Sequence, residues 1–528
     1  MSNYLPKRTY GRKRIIIEEE VTRDTLIEIL QKALPIHSEN VQDIQYLISY
    51  CKGEQNIYNR TNIEAGYNQD INNQTVINYA WSSVRDIVGY TFGKNTQYTP
   101  TGDKFREDID EINRILTYEN NALADHESST YASICGLGYL CMLPSEELLG
   151  DYMPDVPLID ISLDPTTTFV VQSARPGNPV TLSVTYYTDL ERTYFTCYTD
   201  DKIFYLVSEG NLSLVTGTRY NIQEFDNPIG LNPISMVQNN AFLLGDFEVA
   251  ISVLDAINQL ASDTLNDVEN VIKSLLIVLN AEITDETVKK VKKNRILELV
   301  AGDDNKKPDA KFIYQQLDAM GMQNIREYLE EAYKQIIGIP DRKTRGGGGG
   351  DTGDAVKLRD GWADIEIVAR IKEQYFRKAK RKQVAVAVRI LQKLNLISKE
   401  FRTKYLDIKV PRNQVDNLQT KAQAFSTLNG TKTLHPADAL DIVEMTTDVD
   451  GKVERGIKFW EEYAENQMKM QQTYTTNNMQ TKSGEASSSS VKVGQQQENQ
   501  YNTDITETKK RKDAIKAEQG NKKRERIY

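Results

Sequence analysis

The sequence is poor in the residues that bind metals and form disulfides. Its 528 residues include only three histidines and four cysteines, namely His37, His126, His435, Cys51, Cys135, Cys141 and Cys197. No Cys-x-x-Cys pair occurs, and no histidine lies three or four positions from another. The usual patterns of a zinc ribbon, a redox dithiol and a histidine metal site are therefore missing. We expect reduced thiols, no metal and no cofactor.

Sequence motifs of common enzyme classes are also missing. The chain lacks the phosphate loop Gly-x-x-x-x-Gly-Lys-[Ser/Thr], the Gly-x-Ser-x-Gly of hydrolases and the His-Glu-x-x-His of zinc proteases. Its one long glycine run is followed by Asp351, and a predicted helix precedes it where a phosphate loop needs a strand. We therefore expect no catalytic residues and no enzymatic activity. An ATP-driven motor subunit stays open as an alternative, which an ATPase assay would test.

Long apolar runs and an excess of positive charge are absent as well. No apolar run approaches the ~18 residues that a membrane helix needs. Residues 15–17 are too few for the apolar core of a signal peptide, so we expect a protein made in the cytoplasm without membrane contact. The net charge is -10, from 65 Lys and Arg against 75 Asp and Glu. A nucleic acid partner would therefore be contacted locally and not through a broad basic face.

Hydrophobic spacing predicts an α+β chain that is predominantly helical. Short β-branched and aromatic stretches between turn residues predict a meander of antiparallel strands over residues 155–240. Apolar residues recur every three or four positions over residues 246–272, which predicts a long helix with Asp246 as its N-cap. The other segments with helical spacing are residues 22–51, 74–90, 103–118, 284–294, 318–337 and 355–394. Residues 398–465 are predicted to form a helical block with a turn at residues 428–440. The Gln- and Ser-rich residues 466–528 have the composition of a disordered tail.

A run of five glycines, residues 346–350, lies between two long predicted helices. One interpretation is a flexible tether between domains, because glycine runs have little stiffness. The other is a loop that changes its backbone shape while the two helices stay fixed, because glycine accepts nearly every φ/ψ combination. The second is favoured by length, since residues 339–354 would reach at most ~50 Å when fully extended. It is also favoured by the charges that precede the glycines, Arg342, Lys343 and Arg345.

Five segments, in a fixed order, share the pattern of one protein family. Near the N-terminus lie "YCKGEQNIYNRT" and "NNQTVINYAWSSVRDIVGYTFGKNTQYT", followed by "TYASICGLGYLCML" and "LGDFEVAISVLDAINQLASDTLNDVE". The fifth, "IGIPDRKTRGGGGGDTGDAVKLRDG", contains the glycines and places Asp351, Gly353, Ala355 and Lys357 as the family's loop does. Over roughly residues 40–450 the chain resembles the portal proteins of tailed double-stranded DNA bacteriophages, especially those of long-tailed phages. Its tyrosine- and asparagine-rich style is similar to proteins of crAss-like phages.

The resemblance implies a portal fold with wing, stem, clip, tunnel loop and crown, assembled as a dodecameric ring. The implied segments of this chain are an N-terminal arm (1–20), the wing (21–245), two stem helices (246–272 and 318–338), the clip (273–317), the tunnel loop (339–354), a long wing helix (355–397), the crown (398–465) and a disordered tail (466–528). Such a ring occupies one capsid vertex of the virion. It is the conduit for double-stranded DNA during packaging and ejection.

The resemblance also implies site residues and partners. The tunnel loop would face DNA, without reading its sequence, through Arg342, Lys343, Arg345, Gly346, Gly347, Gly348, Gly349 and Gly350. A second basic cluster, on the clip, would face DNA or the motor, or be a solvated helix face; it comprises Lys289, Lys290, Lys292 and Lys293. Expected partners are further copies of the chain, double-stranded DNA, the terminase, the major capsid protein and head–tail connector proteins. The alternative is a non-conducting structural or adaptor protein whose glycines form a tether.

Overall fold

The computed structural model describes residues 11–61, 71–102, 104–118, 121–145, 157–189, 192–209, 219–272, 275–279, 309–313, 319–340, 362–413, 418–430, 436–443 and 449–480. These residues form a predominantly helical α+β fold, which confirms the fold class predicted from the sequence. None of the helices in the described ranges has the length and apolar character to cross a lipid bilayer.

The helices account for most of the regular structure. They are α1 (Leu26–Lys52), α2 (Tyr79–Phe92), α3 (Arg106–Tyr118), α4 (Asn121–Cys135), α5 (Ile251–Ile272), α6 (Ala319–Ile337), α7 (Trp362–Lys393), α8 (Leu418–Gly430), α9 (Pro436–Ile442) and α10 (Val449–Gln480). Local sequence sets their ends. The side chain of Asn78 accepts a hydrogen bond from the N–H of Trp81 and caps α2. Gly53, with a φ of 109°, ends α1 in the left-handed conformation that glycine adopts most easily.

The strands are β1 (Ile15–Ile16), β2 (Gln97–Pro100), β3 (Leu137–Pro144), β4 (Leu158–Leu163), β5 (Thr168–Gln172), β6 (Val180–Asp189), β7 (Arg192–Tyr198), β8 (Lys202–Glu209), β9 (Arg219–Asp226), β10 (Ile234–Gln238), β11 (Leu275–Leu279), β12 (Asp309–Ile313) and β13 (Leu406–Lys409). The largest sheet has the order β1-β5-β6-β7-β8-β9, and its last five strands are an antiparallel meander. The smaller sheets are β10-β3-β4, β11-β12 and β13-β2.

The buried apolar side chains of the described residues form two cores. The smaller lies between the first half of α1 and one face of the six-stranded sheet, where Leu30 packs with Phe169 and Phe204. The larger gathers α2, α3, α4, the β10-β3-β4 sheet, the start of α5 and most of α7. Both belong to one compact unit that extends to Gly430, and α9 and α10 belong to a second unit. The division falls inside residues 398–465, the segment predicted to be the crown.

Several segments differ from the sequence prediction, and one is the helix predicted over residues 74–90, which starts at Tyr79. The helix predicted to start at residue 246 starts at Ile251, after a 3-10 turn at Glu248–Ala250. Residues 398–465, predicted to be a helical block with a turn at residues 428–440, include the strand β13, because Leu406 and Ile408 pair with β2 far back in the sequence. Helix α10 continues beyond residue 466, into the segment whose composition predicts disorder. Gln, Lys and Met are good helix formers, so a polar composition alone does not exclude a helix there.

Candidate functional site

The basic residues and glycines predicted to form the site lie outside the described residues. Arg342, Lys343, Arg345 and the glycines 346–350 fall in the range between Pro340 and Trp362. The lysines of the second cluster fall in the range between Leu279 and Asp309; they are Lys289, Lys290, Lys292 and Lys293. The structure does describe the elements on either side of both ranges, which are α5, α6, α7 and the two strands β11 and β12.

Helices α5 and α6 pack against each other, and β11 and β12 lie between them in the sequence. Strand β11 follows α5, and β12 precedes α6. The antiparallel ladder runs from the pair Leu275–Ile313 to the pair Leu279–Asp309. Residues 279 and 309, which border the segment 280–308, are therefore paired in one two-stranded ribbon.

The C-terminal end of α6 is fixed by a glycine and by a buried tyrosine. Gly338 has a φ of 74°, and the N–H groups of Gly338 and Ile339 both donate to the carbonyl of Lys334, at 2.9 and 3.0 Å. These bonds satisfy the last turn of the helix. Tyr333 is 2 % exposed, and its hydroxyl lies 2.5 Å from Oγ of Ser83 in α2. Burial raises the pKa of Tyr333, so the hydroxyl keeps its proton for this contact.

The first turns of α7 are fixed by a network around Glu366. Arg412 donates to Glu366 at 3.0 Å and to Glu373 at 2.8 Å, and the hydroxyl of Tyr90 in α2 donates to Glu366 at 2.9 Å. Partial burial alone would raise the pKa of Glu366. Hydrogen bonds from Arg370 and Arg412 outweigh that effect, and the pKa is lowered. Glu366 is therefore charged at neutral pH, as an ion pair with Arg412 requires.

Helix α2 thus holds both helices that flank the glycine run. Ser83 contacts the α6 side, and Tyr90 contacts the α7 side. Phe92 adds a ring contact with Phe376 of α7, with centroids 4.7 Å apart. Ser83 and Tyr90 lie seven positions apart, which is close to two turns, so they share one side of α2. The two ends that border residues 341–361 are therefore fixed relative to each other, as the second interpretation of the glycine run requires.

Residues 71–78, here called the strap, lie along α5 and bond to its side chains. The N–H of Asn73 donates to Oδ1 of Asn266 at 2.8 Å, and the N–H of Thr75 donates to Oγ of Ser262 at 2.9 Å. A third bond of 2.8 Å joins the N–H of Ile77 to Oδ1 of Asn258. Two residues of extended chain rise about 6.6 Å and four residues of helix rise about 6.0 Å, so the two spacings match. The strap is thereby held in register along α5.

A lysine and two aspartates are buried together where α7 crosses α4 and β4. Nζ of Lys380 lies 2.5 Å from Asp125 and 3.6 Å from Asp160, and all three side chains are almost fully buried. Asn121 and Gln383 also donate to the Asp160 carboxylate. Burial raises the pKa of Asp160 to about 7, against the opposing charge of Lys380. A proton on Asp160 makes the cluster neutral, which lowers the cost of burying it.

Two further buried ion pairs lie just before α5. Nζ of Lys372 in α7 lies 2.7 Å from Asp246, and Nη2 of Arg12 lies 2.7 Å from Glu248. The carboxylate of Glu248 also accepts from the N–H of Gly245 at 2.8 Å. These contacts tie the N-terminal residues and α7 to the start of α5, so the base of the helix pair is rigid.

Sequence reasoning did not find these ion pairs. Asp246 was predicted to cap a helix, whereas its carboxylate accepts from Lys372 and Asn239. The partners are distant along the chain, with 255 positions between Asp125 and Lys380. The only available signal was a lysine inside the apolar stripe of α7, next to Ala379. Among the residues that the structure describes, no group of His, Cys, Asp or Glu is arranged to hold a metal ion.

Comparison with known proteins identifies the family. The model of the family "Phage portal protein, SPP1 Gp6-like" matches residues 30–498. No curated protein matches the chain. Among solved structures, a chain from the neck of an empty GTA particle, computed with C6 symmetry, matches with 13% sequence identity and a TM-score of 0.39; the match covers 69% of this chain and 90% of that chain. The family match confirms the resemblance seen in the sequence, and the chain belongs to the SPP1 Gp6-like phage portal proteins.

Proposed function

We propose that this chain assembles into a ring at one capsid vertex and is the conduit for double-stranded DNA during packaging and ejection. The observation that carries the proposal is the family match over residues 30–498, since the family is structural and its membership implies a capsid vertex in the virion. In the proposal, the chain is made in the cytoplasm of the host bacterium and twelve copies close the ring beside the major capsid protein. The terminase docks on the ring first, and head–tail connector proteins dock afterwards.

In the proposed ring, the paired helices α5 and α6 are the stem and residues 339–354 are the tunnel loop. Support comes from α2, which holds the end of α6 through Ser83 and the start of α7 through Tyr90. A loop between two fixed ends can change shape without moving the fold around it. The five glycines supply the backbone freedom that such a loop needs.

The charges of the loop suit a passage for DNA. One cation on each chain becomes a belt of cations around the ring axis, and Arg342, Lys343 and Arg345 would contact phosphates without reading bases. A duplex and a ring of twelve do not share symmetry, so each loop must adapt separately. The net charge of -10 suits the remaining surface, since like charge keeps DNA from adhering while it slides.

Residues 273–317 are the proposed clip, which faces the motor and later the connector. Its four lysines are assigned to the motor- or DNA-facing collar of the ring; they are Lys289, Lys290, Lys292 and Lys293. The β11–β12 pairing supports this, because it brings together residues 279 and 309, which border the segment 280–308.

The loop cations are tested by changing Arg342, Lys343 and Arg345 together to glutamine. We expect rings to assemble normally, while the packaged DNA length and the infectivity fall by about tenfold or more, because phosphate contacts are lost. The matched control changes three exposed cations, Lys399, Arg402 and Lys404, to glutamine and alters the net charge equally.

Two outcomes would contradict this assignment of the loop. Unchanged packaging in the loop variant would remove the role of its cations. An equal loss in the control variant would show that net charge, and not the loop, is responsible.

An adaptor protein whose glycines form a tether is the competing function. Negative-stain microscopy of the wild-type protein separates the two functions. Rings with an open axial hole support the conduit, whereas a protein that stays monomeric in samples taken from virions supports the adaptor. An ATPase assay on the same material tests the motor alternative, for which the sequence lacks the phosphate loop.

A further inference from the structure

The second half of α7 concentrates positive charge. Residues 374–399 contain eight Lys and Arg residues and no Asp or Glu, although the whole chain has a net charge of -10. Of the eight, Lys380 is buried beside two aspartates, and Arg377 pairs with Asp407. Five others are exposed on α7 and are here called the basic ridge: Lys378, Arg381, Lys382, Arg389 and Lys393.

The basic ridge follows one side of the helix. Since each residue turns an α-helix by about 100°, the five side chains fall within a sector of roughly 120° around the axis of α7. From Lys378 to Lys393 the ridge is about 22 Å long, and its first member lies about 24 Å along the helix from Trp362. The ridge therefore belongs to a different part of the chain from the cations of the tunnel loop.

The first half of α7 neutralises its cations, whereas the basic ridge does not. Arg370 lies 2.9 Å from Glu366, and Arg377 lies 3.8 Å from Glu373, in each case one helical turn away. Within the described ranges, none of the five cations of the ridge forms an ion pair or donates a side-chain hydrogen bond. Unpaired cations are what a polyanion requires, because each of them can bind a phosphate without first releasing a carboxylate.

Like charges on the ridge lie one turn apart, which destabilises the helix. Lys378 and Lys382 are four positions apart, and no carboxylate lies between them. The same is true of Arg389 and Lys393. Partial burial lowers the pKa of Lys382, the charge of Lys378 lowers it further, and Asp200 acts in the opposite direction. A bound polyanion would relieve this repulsion, so the ridge suits a bound state better than a free one.

The composition of the ridge fits a nucleic acid better than a protein partner. Protein interfaces place aromatic or large apolar side chains near their centre and are depleted in lysine. The ridge has three lysines and two arginines, and between its ends the one apolar side chain within the same sector of α7 is the small Ala385. The phosphates of a DNA backbone are contacted through lysine and arginine, with no need for an apolar anchor.

We infer that the basic ridge of α7 binds the phosphate backbone of double-stranded DNA, independently of base sequence. A row of cations about 22 Å long can reach phosphates on both sides of a major groove, which is about 12 Å wide. The inference goes beyond the conduit proposed above, whose DNA contacts are assigned to the tunnel loop and the clip. It gives the chain a further DNA-binding surface within its described, folded part.

Fluorescence anisotropy of a short labelled duplex, titrated with the full chain at several salt concentrations, tests the ridge. Every sample carries the three glutamine substitutions of the tunnel loop, so the loop cations do not contribute. In this background, Lys378→Gln, Arg381→Gln and Arg389→Gln are introduced together. We expect DNA affinity to fall about tenfold or more. The slope of log affinity against log salt should decrease by about three, one for each cation lost.

The matched control removes the same amount of charge from elsewhere. Lys52→Gln, Lys94→Gln and Arg175→Gln change three exposed cations on separate parts of the fold and should leave both affinity and slope at the background values. Thermal unfolding provides a second measurement. The ridge variant should be at least as stable as the background, because glutamine is a good helix former and a repulsion between like charges is removed. A cation with a merely structural role would instead lower Tm when replaced.

Three outcomes would overturn the inference. One is an unchanged DNA affinity in the ridge variant. Another is an equal loss in the control variant, because net charge and not the ridge would then be responsible. The third is displacement of the duplex by poly-glutamate at an equal concentration of charge, which would assign the ridge to an acidic protein. None of these results bears on ring assembly, so the conduit would still stand. Wild-type protein that forms no ring would overturn the conduit, and the duplex titration would still test the ridge.

Discussion

The carboxyl group of Asp160 binds a proton in the folded protein over a pH range where an ordinary aspartate does not. Burial raises its pKa from 3.8 to about 7. Between these values the folded state binds more protons than the unfolded state, so its contribution to stability is full below pH 3.8 and is lost as the pH rises through 7. We expect Asp160→Asn to remove this loss, on the order of a few kcal/mol.

The measurement is the unfolding free energy from urea titrations at several pH values. The variant should show a smaller fall between pH 4 and pH 7 than the wild type, because an amide does not titrate. Asp226→Asn is the control: this aspartate is on the surface, and its hydrogen bond with Lys202 lowers its pKa. Identical pH profiles for Asp160→Asn and the wild type would contradict the assignment of the proton to Asp160.

Gly136 and Gly177 have nearly the same backbone conformation and very different surroundings. Their φ angles are 89° and 88°. A Cβ at Gly136 would lie 1.9 Å from the carbonyl oxygen of Leu243, whereas a Cβ at Gly177 would meet nothing within 4 Å. We expect Gly136→Ala to destabilise the protein by about 3 kcal/mol or more. Gly177→Ala should cost only the strain of its positive φ, about 1–2 kcal/mol.

Thermal unfolding of the two variants checks this prediction. The pair isolates the effect of close packing, since backbone strain is common to both. Equal losses of stability would show that the approach of Leu243 does not matter.

At the scale of single residues, the sequence indicated only some of the positions where packing is close. It has small residues at Ala132, Gly136 and Gly138, and the buried α4–β3 junction explains why. It did not reveal the partner of Gly136, because Leu243 is more than a hundred positions away. The buried partners of Lys380 were hidden for the same reason. Contacts that depend on the fold of distant segments leave no local pattern to read.

The strap is an element that depends on three side chains of α5. In Ser262→Ala the N–H of Thr75 loses the oxygen that it bonds to at 2.9 Å. A hydrogen bond of this kind contributes about 1 kcal/mol, so we expect the amide of Thr75 to exchange with deuterium roughly fivefold faster. The control is Thr264→Ala, since the hydroxyl of Thr264 bonds to the carbonyl of Leu260 within α5.

Hydrogen–deuterium exchange on a peptide that spans the strap measures the effect. Faster exchange of the Thr75 amide in Ser262→Ala, but not in Thr264→Ala, supports the hydrogen bond between the strap and Ser262. Faster exchange in both variants would indicate general loosening of α5 and would contradict the specific role of Ser262.

Elements with strong periodicity were predicted well. Apolar spacing indicated α5 and α6, and alternating β-branched residues indicated the strand meander. Residues 74–78 of the strap were predicted to be the start of a helix, but the helix starts at Tyr79. The strap has no regular secondary structure, because its N–H groups bond to side chains of α5. Strand β13 was missed because only its pairing with β2 makes Leu406–Lys409 extended. Secondary structure was predicted correctly where the local sequence pattern determines it. It was missed where contacts with distant segments determine it.

At the scale of the whole molecule, two helices that both contact α2 border the glycine-rich segment of the chain. Helix α2 fixes the neighbours of residues 341–361 on both sides, through Tyr333 and Glu366. The assignment of Arg342, Lys343 and Arg345 to a DNA passage stays a prediction, since those residues lie outside the described ranges. The sequence indicated this candidate site through a family pattern.

The length and pliancy of the loop can be separated by two variants of Gly346–Gly350. Deleting the five glycines shortens the loop by about 17 Å when extended. Replacing them with serines keeps the length and restricts only the backbone, because serine disfavours positive φ. If the loops must reach and follow a duplex inside a ring held rigid by α2, deletion should reduce packaged DNA length and infectivity far more than serine replacement does. Both variants should still form rings, since α6 and α7 keep their contacts with α2. Equal packaging by the two variants and the wild type would show that the glycine run serves only as a tether.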